Sequence, residues 1–171
     1  MKKVPFGRID VMLREYDLKR DPEKLVAHLF NTMDSWEENI QSVFEGDKWF
    51  QEPNQFRRRL VAEIEGELFA TVTVERGLSP YGSHRFRLYS VVTAPQYQGS
   101  GLSQILLEYV REWIKTQGGT LILVETWESN IPARKFYEKL GFKEYGRLPK
   151  GLYKRNKNGY ESEILLYLEI E

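Results

Sequence analysis

Over residues 9–16 apolar and polar side chains alternate, with Ile9, Val11 and Leu13 on one face, as in a half-buried strand. Asp21-Pro22-Glu23 opens a helix, with Asp as the cap and Pro in the first turn, and Leu25, Leu29, Phe30 and Met33 form its apolar face. A second helical stretch starts near Ser35. It carries Trp36, Ile40, Val43 and Phe44 at helical spacing and ends near Gly46. After a loop at 51–54, residues 60–64 and 68–74 read as two strands, joined by the hairpin sequence Glu65-Gly66-Glu67.

A Gly-, Ser- and Pro-rich loop at 77–83 leads to a strand at 85–93 that becomes uniformly apolar at Val91-Val92, as a central strand does. The clearest helix follows. Leu102, Ile105, Leu106, Tyr109, Val110, Trp113 and Ile114 recur at helical intervals before Gly118-Gly119. A buried strand at 120–124, a short helix at 131–139 stopped by Gly141, and strands at 142–147 and 163–170 complete the chain, the last two flanking a polar loop at 154–158. The order is strand, two helices, three strands, helix, strand, helix, two strands. An α/β domain with one mixed sheet and helices on both faces buries all of these stripes. No repeat or linker interrupts residues 1–171, so a single domain is expected.

Composition narrows the chemistry. With 41% hydrophobic and 29% charged residues the chain is globular rather than disordered. Its 25 basic residues balance 25 acidic ones, so no net field draws nucleic acid or an anionic membrane to it. The run Arg57-Arg58-Arg59 reads as a solvated strand edge. Cysteine is absent, which removes disulfides, thiolate nucleophiles and thiolate metal sites, and the two histidines, His28 and His84, form no local ligand pair. No metal is expected. Neither a signal peptide nor a membrane-length apolar run is apparent, and the expected location is cytoplasmic.

Between the central strand and the long helix lies Pro95-Gln96-Tyr97-Gln98-Gly99-Ser100-Gly101-Leu102-Ser103. A glycine turn entering a helix leaves backbone N–H groups unpaired at the positive end of the helix dipole, which suits a phosphate or pyrophosphate. Neither a Walker loop nor the dinucleotide fingerprint is present, and two glycines alone are often a plain turn.

The junction resembles that of the GNAT superfamily, which carries Gln/Arg-x-x-Gly-x-Gly/Ala here. Gln96, Gly99 and Gly101 fit that pattern; so do Gln98 and Gly101 in a second register, with Ser103 in place of the last small residue. Asn130-Ile131-Pro132-Ala133-Arg134-Lys135-Phe136-Tyr137-Glu138-Lys139-Leu140-Gly141-Phe142 is similar to the superfamily's Asn-x-x-Ala-x-x-x-Tyr-x-x-x-Gly-Phe segment. The resemblance runs from about Val61 to the C-terminus, and implies a mixed sheet splayed at its centre.

It also implies acetyl-CoA as co-substrate and an acetyl transfer to a primary amine of a small molecule or peptide, in a ternary complex. Amides of Gln98, Gly99, Ser100, Gly101, Leu102 and Ser103 would hold the pyrophosphate, and backbone of Val91, Val92 and Thr93 the pantetheine arm. Asn130, Ala133 and Phe136 would line the arm and the helix start, and Tyr137 would protonate the leaving thiolate. For an isolated tyrosine, packing beside Phe136 is the plainer role. Glu125, five residues before Asn130, matches a catalytic glutamate of some protein N-terminal acetyltransferases. At the end of a buried strand its pKa is expected to be raised, as a base requires, while an ion pair there is the alternative. Glu128, Glu75, Tyr89 and relay through water are rivals. A homodimer is compatible with the resemblance, as is a coenzyme A-binding sensor without turnover.

Overall fold

The computed structural model describes residues 1–17, 20, 56–154 and 159–171. The two helices expected between residues 21 and 46, and the loop at 51–54, lie outside the described residues. The chain divides into two compact units, each built from two stretches: 1–75 with 90–113, and 76–89 with 114–171.

The first unit holds an antiparallel meander of β1 (Lys2–Phe6), β2 (Ile9–Glu15), β3 (Arg57–Ile64) and β4 (Glu67–Arg76, its last residue in the second unit). Alternation drives β2 inward: Val11 and Leu13 are buried. The β3–β4 turn takes positive φ at Glu65 (51°) and Gly66 (89°), the primed turn whose twist matches a two-residue hairpin. Leu60, Val61, Ala62, Phe69, Ala70, Val72 and Val74 form its core.

The expected solvated edge at Arg57-Arg58-Arg59 is corrected here. Arg59 is buried and lies over the Tyr16 ring, and Arg57 grips Glu75 through Nε at 2.9 Å and Nη2 at 2.5 Å. Burial pushes the Arg59 guanidinium down to about 10, with Tyr16 acting in the opposite direction. A strand buried along most of its length carries its arginines inward with it.

In the second unit β5 (Arg85–Thr93, whose last four residues belong to the first unit) pairs in parallel with β6 (Leu121–Trp127) from Arg85↔Leu121 to Leu88↔Val124. β8 (Gly159–Glu169) is antiparallel to β6, and β7 (Lys143–Lys154) is antiparallel to β8, giving the mixed order β5-β6-β8-β7. Helix α1 (Leu102–Thr116) buries Leu102, Leu106, Val110 and Ile114 of the anticipated stripe, and Leu107 besides. Helix α2 (Ile131–Lys139) is capped by Asn130, whose side chain accepts the Ala133 N–H at 3.3 Å, with Pro132 in the first turn. No helix among the described residues is long and apolar enough to cross a membrane.

Candidate active site

The glycine turn lies wholly in the first unit. A single 3-10 turn, Pro95–Tyr97, is fixed by Phe69, whose carbonyl accepts the Ala94 N–H at 2.7 Å and whose ring packs at a tilt against Tyr97 with centroids 5.1 Å apart. Gln98 then donates its side-chain amide to the Thr93 carbonyl at 3.0 Å, tying the turn to the end of β5. Gln96 and Gln98 are both exposed, but among the described residues only Gln98 makes a side-chain hydrogen bond, which favours the second motif register. Thr93 and Ser103 hydroxyls meet at 2.8 Å, joining the strand end to the first turn of α1.

Main-chain donors along this turn alternate. The Gln98 and Ser100 N–H groups bond to the Pro95 and Tyr97 carbonyls, and the Leu102 N–H to the Ser100 hydroxyl. Those of Gly99, Gly101 and Ser103 have no partner among the described residues. Gly99 (φ 75°) and Gly101 (φ 93°) hold backbone conformations that side chains resist, and nothing within 4 Å would meet a Cβ at Gly99. These three N–H groups lie at or just before the N-terminus of a 15-residue helix, where backbone donors and the helix dipole favour an anion such as a phosphate. The donor set fits the phosphates of coenzyme A. Val91 and Thr93 are half-buried and Val92 is buried; just before them Ser90 has φ 50°, an irregularity in a non-glycine residue within a strand.

The other anticipated residues lie in the second unit. Asn130 and Ala133 are joined by the cap of α2. Tyr137 is buried, its ring 5.5 Å from Phe136 and 5.3 Å from Phe142. Its hydroxyl has no hydrogen-bond partner among the described residues, and burial raises its pKa well above the ordinary phenol value. Tyr137 is therefore a protonated donor at any working pH. It packs its ring as an isolated tyrosine would, and its hydroxyl is left uncommitted.

Glu125 sits in β6 with its side chain 23% exposed and its carboxylate 3.0 Å from Arg87 Nη1. The ion pair that the sequence left open is the arrangement that forms. Arg87 also hydrogen-bonds Tyr89. Of the other rivals, Glu75 is held by Arg57, and Glu128 by Arg147 at 2.6 Å. Sequence reasoning placed Glu163 in an acidic stretch leading into the last strand and gave it no catalytic role. Burial, and then the charge of Glu125, raise its carboxyl above the usual range, with Arg87 opposing. Among the described residues no three His, Cys, Asp or Glu side chains are grouped as a metal would need.

A family model described as the acetyltransferase (GNAT) family matches residues 24–142. The chain belongs to the GNAT family. Over 83 residues it is 31% identical to the [ribosomal protein bS18]-alanine N-acetyltransferase of Salmonella typhimurium, covering 48% of this chain and 55% of that one. The chain spans about half the length of the curated relatives it matches. The crystal structure of the ribosomal-protein-S18-alanine N-acetyltransferase from Escherichia coli aligns with a TM-score of 0.75 at 18% identity, over 94% of both chains. A probable acetyltransferase from Staphylococcus epidermidis aligns with a TM-score of 0.79 at 14% identity, over 94% of this chain and 99% of the other. These likenesses establish the GNAT fold and its α/β class, as the sequence resemblance implied.

Proposed function

We propose that the protein transfers the acetyl group of acetyl-CoA to a primary amine by direct attack. The observation that supports this most is the run of three unpartnered amides at Gly99, Gly101 and Ser103 in a chain of the GNAT family. These donors would hold the pyrophosphate, with Gln98, Ser100 and Leu102 shaping the turn around it. The backbone of Val91, Val92 and Thr93 would take the pantetheine arm, and Asn130, Ala133 and Phe136 are the further coenzyme-contacting candidates that the family resemblance implies. Acetyl-CoA supplies the activated acyl group, as a thioester.

Tyr137 would donate its hydroxyl proton, or a strong hydrogen bond, to the departing sulfur. With its pKa raised by burial, partial donation costs less than complete transfer. Glu125 would stand on the acceptor side, steadied by Arg87. No cysteine is present to carry the acyl group as a protein thioester, which favours attack by the amine itself.

The relatives are named as N-acetyltransferases of a ribosomal protein bS18 alanine, so a peptide α-amine is the first acceptor class to test. The experiment follows free thiol released from acetyl-CoA with an alanine-initiated hexapeptide, spermidine, lysine and an aminoglycoside. Acceptor-dependent release with at least one amine, giving an N-acetylated product by mass, is the expected result. Tight coenzyme A binding with no acylation of any amine would instead identify a coenzyme-sensing module.

A further inference from the structure

We propose that Glu163 of β8, rather than Glu125, is the carboxylate that takes the proton from the attacking amine. This rests on the transferase reading above. Register brings the two acids together: Glu125 lies opposite Leu165, and Glu163 lies opposite Trp127. Directly opposed residues share a face, and so do residues two apart on one strand, so both glutamates are diagonal neighbours on one face of the β6–β8 ladder. Arg87 of β5 reaches that face, because it contacts Glu125.

The two acids are not equivalent. Arg87 holds Glu125 at 3.0 Å, a pairing that fixes the carboxylate in place. Glu163 has neither an ion pair nor a side-chain hydrogen bond among the described residues. An acid that must accept and then release a proton needs that freedom, and a partner fixed in place does not offer it. Burial first, and the charge of Glu125 second, lift Glu163 toward the range where a base works, while Arg87 pulls the other way. Tyr89 of β5 hydrogen-bonds Arg87 and Tyr145 of β7 acts on Arg87 electrostatically; the β7 residues set against Glu163 itself are Leu148 and Gly151, which do not titrate.

The surrounding backbone is shaped around this side chain. β7 slips register between Leu148 and Leu152, with Lys150 at φ 58°, and passes so close that a Cβ at Gly151 would lie 2.7 Å from the Glu163 Cβ. Upstream, Ser162 accepts the Glu128 N–H at 3.0 Å and Glu161 accepts the Ser129 N–H. The start of β8 is thereby pinned to the loop that carries Asn130. Bulges next to reactive groups commonly re-aim a side chain.

The proton balance is simple. Glu163 removes one proton from the acceptor ammonium; nitrogen bonds to the thioester carbon as the carbon–sulfur bond breaks. The second nitrogen proton is lost as the amide forms, and the sulfur gains one from Tyr137, which is reprotonated from that pool. Glu163 returns its proton to solvent.

The test compares steady-state kinetics of Glu163→Gln and Glu125→Gln, with acetyl-CoA and the alanine-initiated hexapeptide, and spermidine in parallel. Glu163→Gln is expected to lower kcat about 100-fold at neutral pH, in the usual range for one general base. KM for acetyl-CoA should stay within about twofold, and the deficit should shrink as the pH rises and the amine deprotonates unaided. Glu125→Gln should slow kcat less and keep the acid limb of the pH profile. Glu163→Asp should recover part of the loss, and if Glu163→Gln does not fold, the displaced acid limb of Glu163→Asp supplies the readout. Wild-type kcat and pH profile in Glu163→Gln, or loss of the acid limb in Glu125→Gln alone, would overturn the proposal. Absence of turnover by the unaltered protein with every amine would instead remove the transferase reading itself.

Discussion

Tyr137 shows how one side chain meets two demands. Its ring fills the space between Phe136 and Phe142, and its hydroxyl, without a partner among the described residues, is kept protonated by burial. Tyr137→Phe keeps the packing and removes only the donor. It should lower kcat roughly 100-fold, leave KM for acetyl-CoA unchanged and hold the melting temperature within about 2 °C. Stopped-flow thiol release and a thermal melt check both. At this scale the sequence was informative wherever a residue's role follows from its neighbours along the chain. Asn130 as a cap, Tyr137 in its helix and the paired glycines are of this kind. Glu163 was not legible, because its companions, Glu125 and Arg87, are set by strand pairing across some forty to eighty residues. The Thr93–Ser103 contact was hidden for a different reason: two hydroxyls ten residues apart meet only once the turn between them has closed.

At the level of elements, both described helices were readable to within a few residues, because apolar periodicity, an Asn cap and terminal glycines agree. β1 was missed, since Lys2–Phe6 is short, opens on two lysines and contains Pro5, with only Val4 and Phe6 half-buried. β7 was read as ending near Arg147 and runs to Lys154, because Pro149 and Gly151 mimic a loop where the strand bulges. The β2–β3 pair carries a prediction of its own. Glu63 is buried and accepts Arg14 Nε at 2.9 Å and Nη2 at 2.6 Å, and Arg20 Nη2 at 2.7 Å. Arg14 is buried too, so Glu63→Gln takes a buried carboxylate charge away from its guanidinium. Breaking such a pair should cost about 3–5 kcal/mol. Urea denaturation should register the loss as a lower midpoint at an unchanged m-value.

Across the whole molecule, the two motif segments fall in different compact units. Val91 to Ser103 belong to the first, and Glu125 to Tyr137 to the second. Strand β5 and helix α1 each continue from one unit into the other, a division that no motif along the chain marks. A ligand that binds only the folded chain should stabilise it by mass action, by about 2.7 kcal/mol at a hundredfold excess over its Kd. For a chain of this size that corresponds to a rise in Tm of about 5–10 °C with coenzyme A.

The central claim concerns the free amides of the glycine turn, and calorimetric titration of coenzyme A into the unaltered protein and into Gly101→Glu tests it most directly. Position 101 has φ 93° and only Phe6 near a Cβ, at 3.9 Å, so a glutamate there strains the turn and sets a carboxylate beside the donors. Micromolar binding by the unaltered protein, weakened at least about a hundredfold in a folded Gly101→Glu, is the predicted result. Equal affinity in the two proteins would contradict the account.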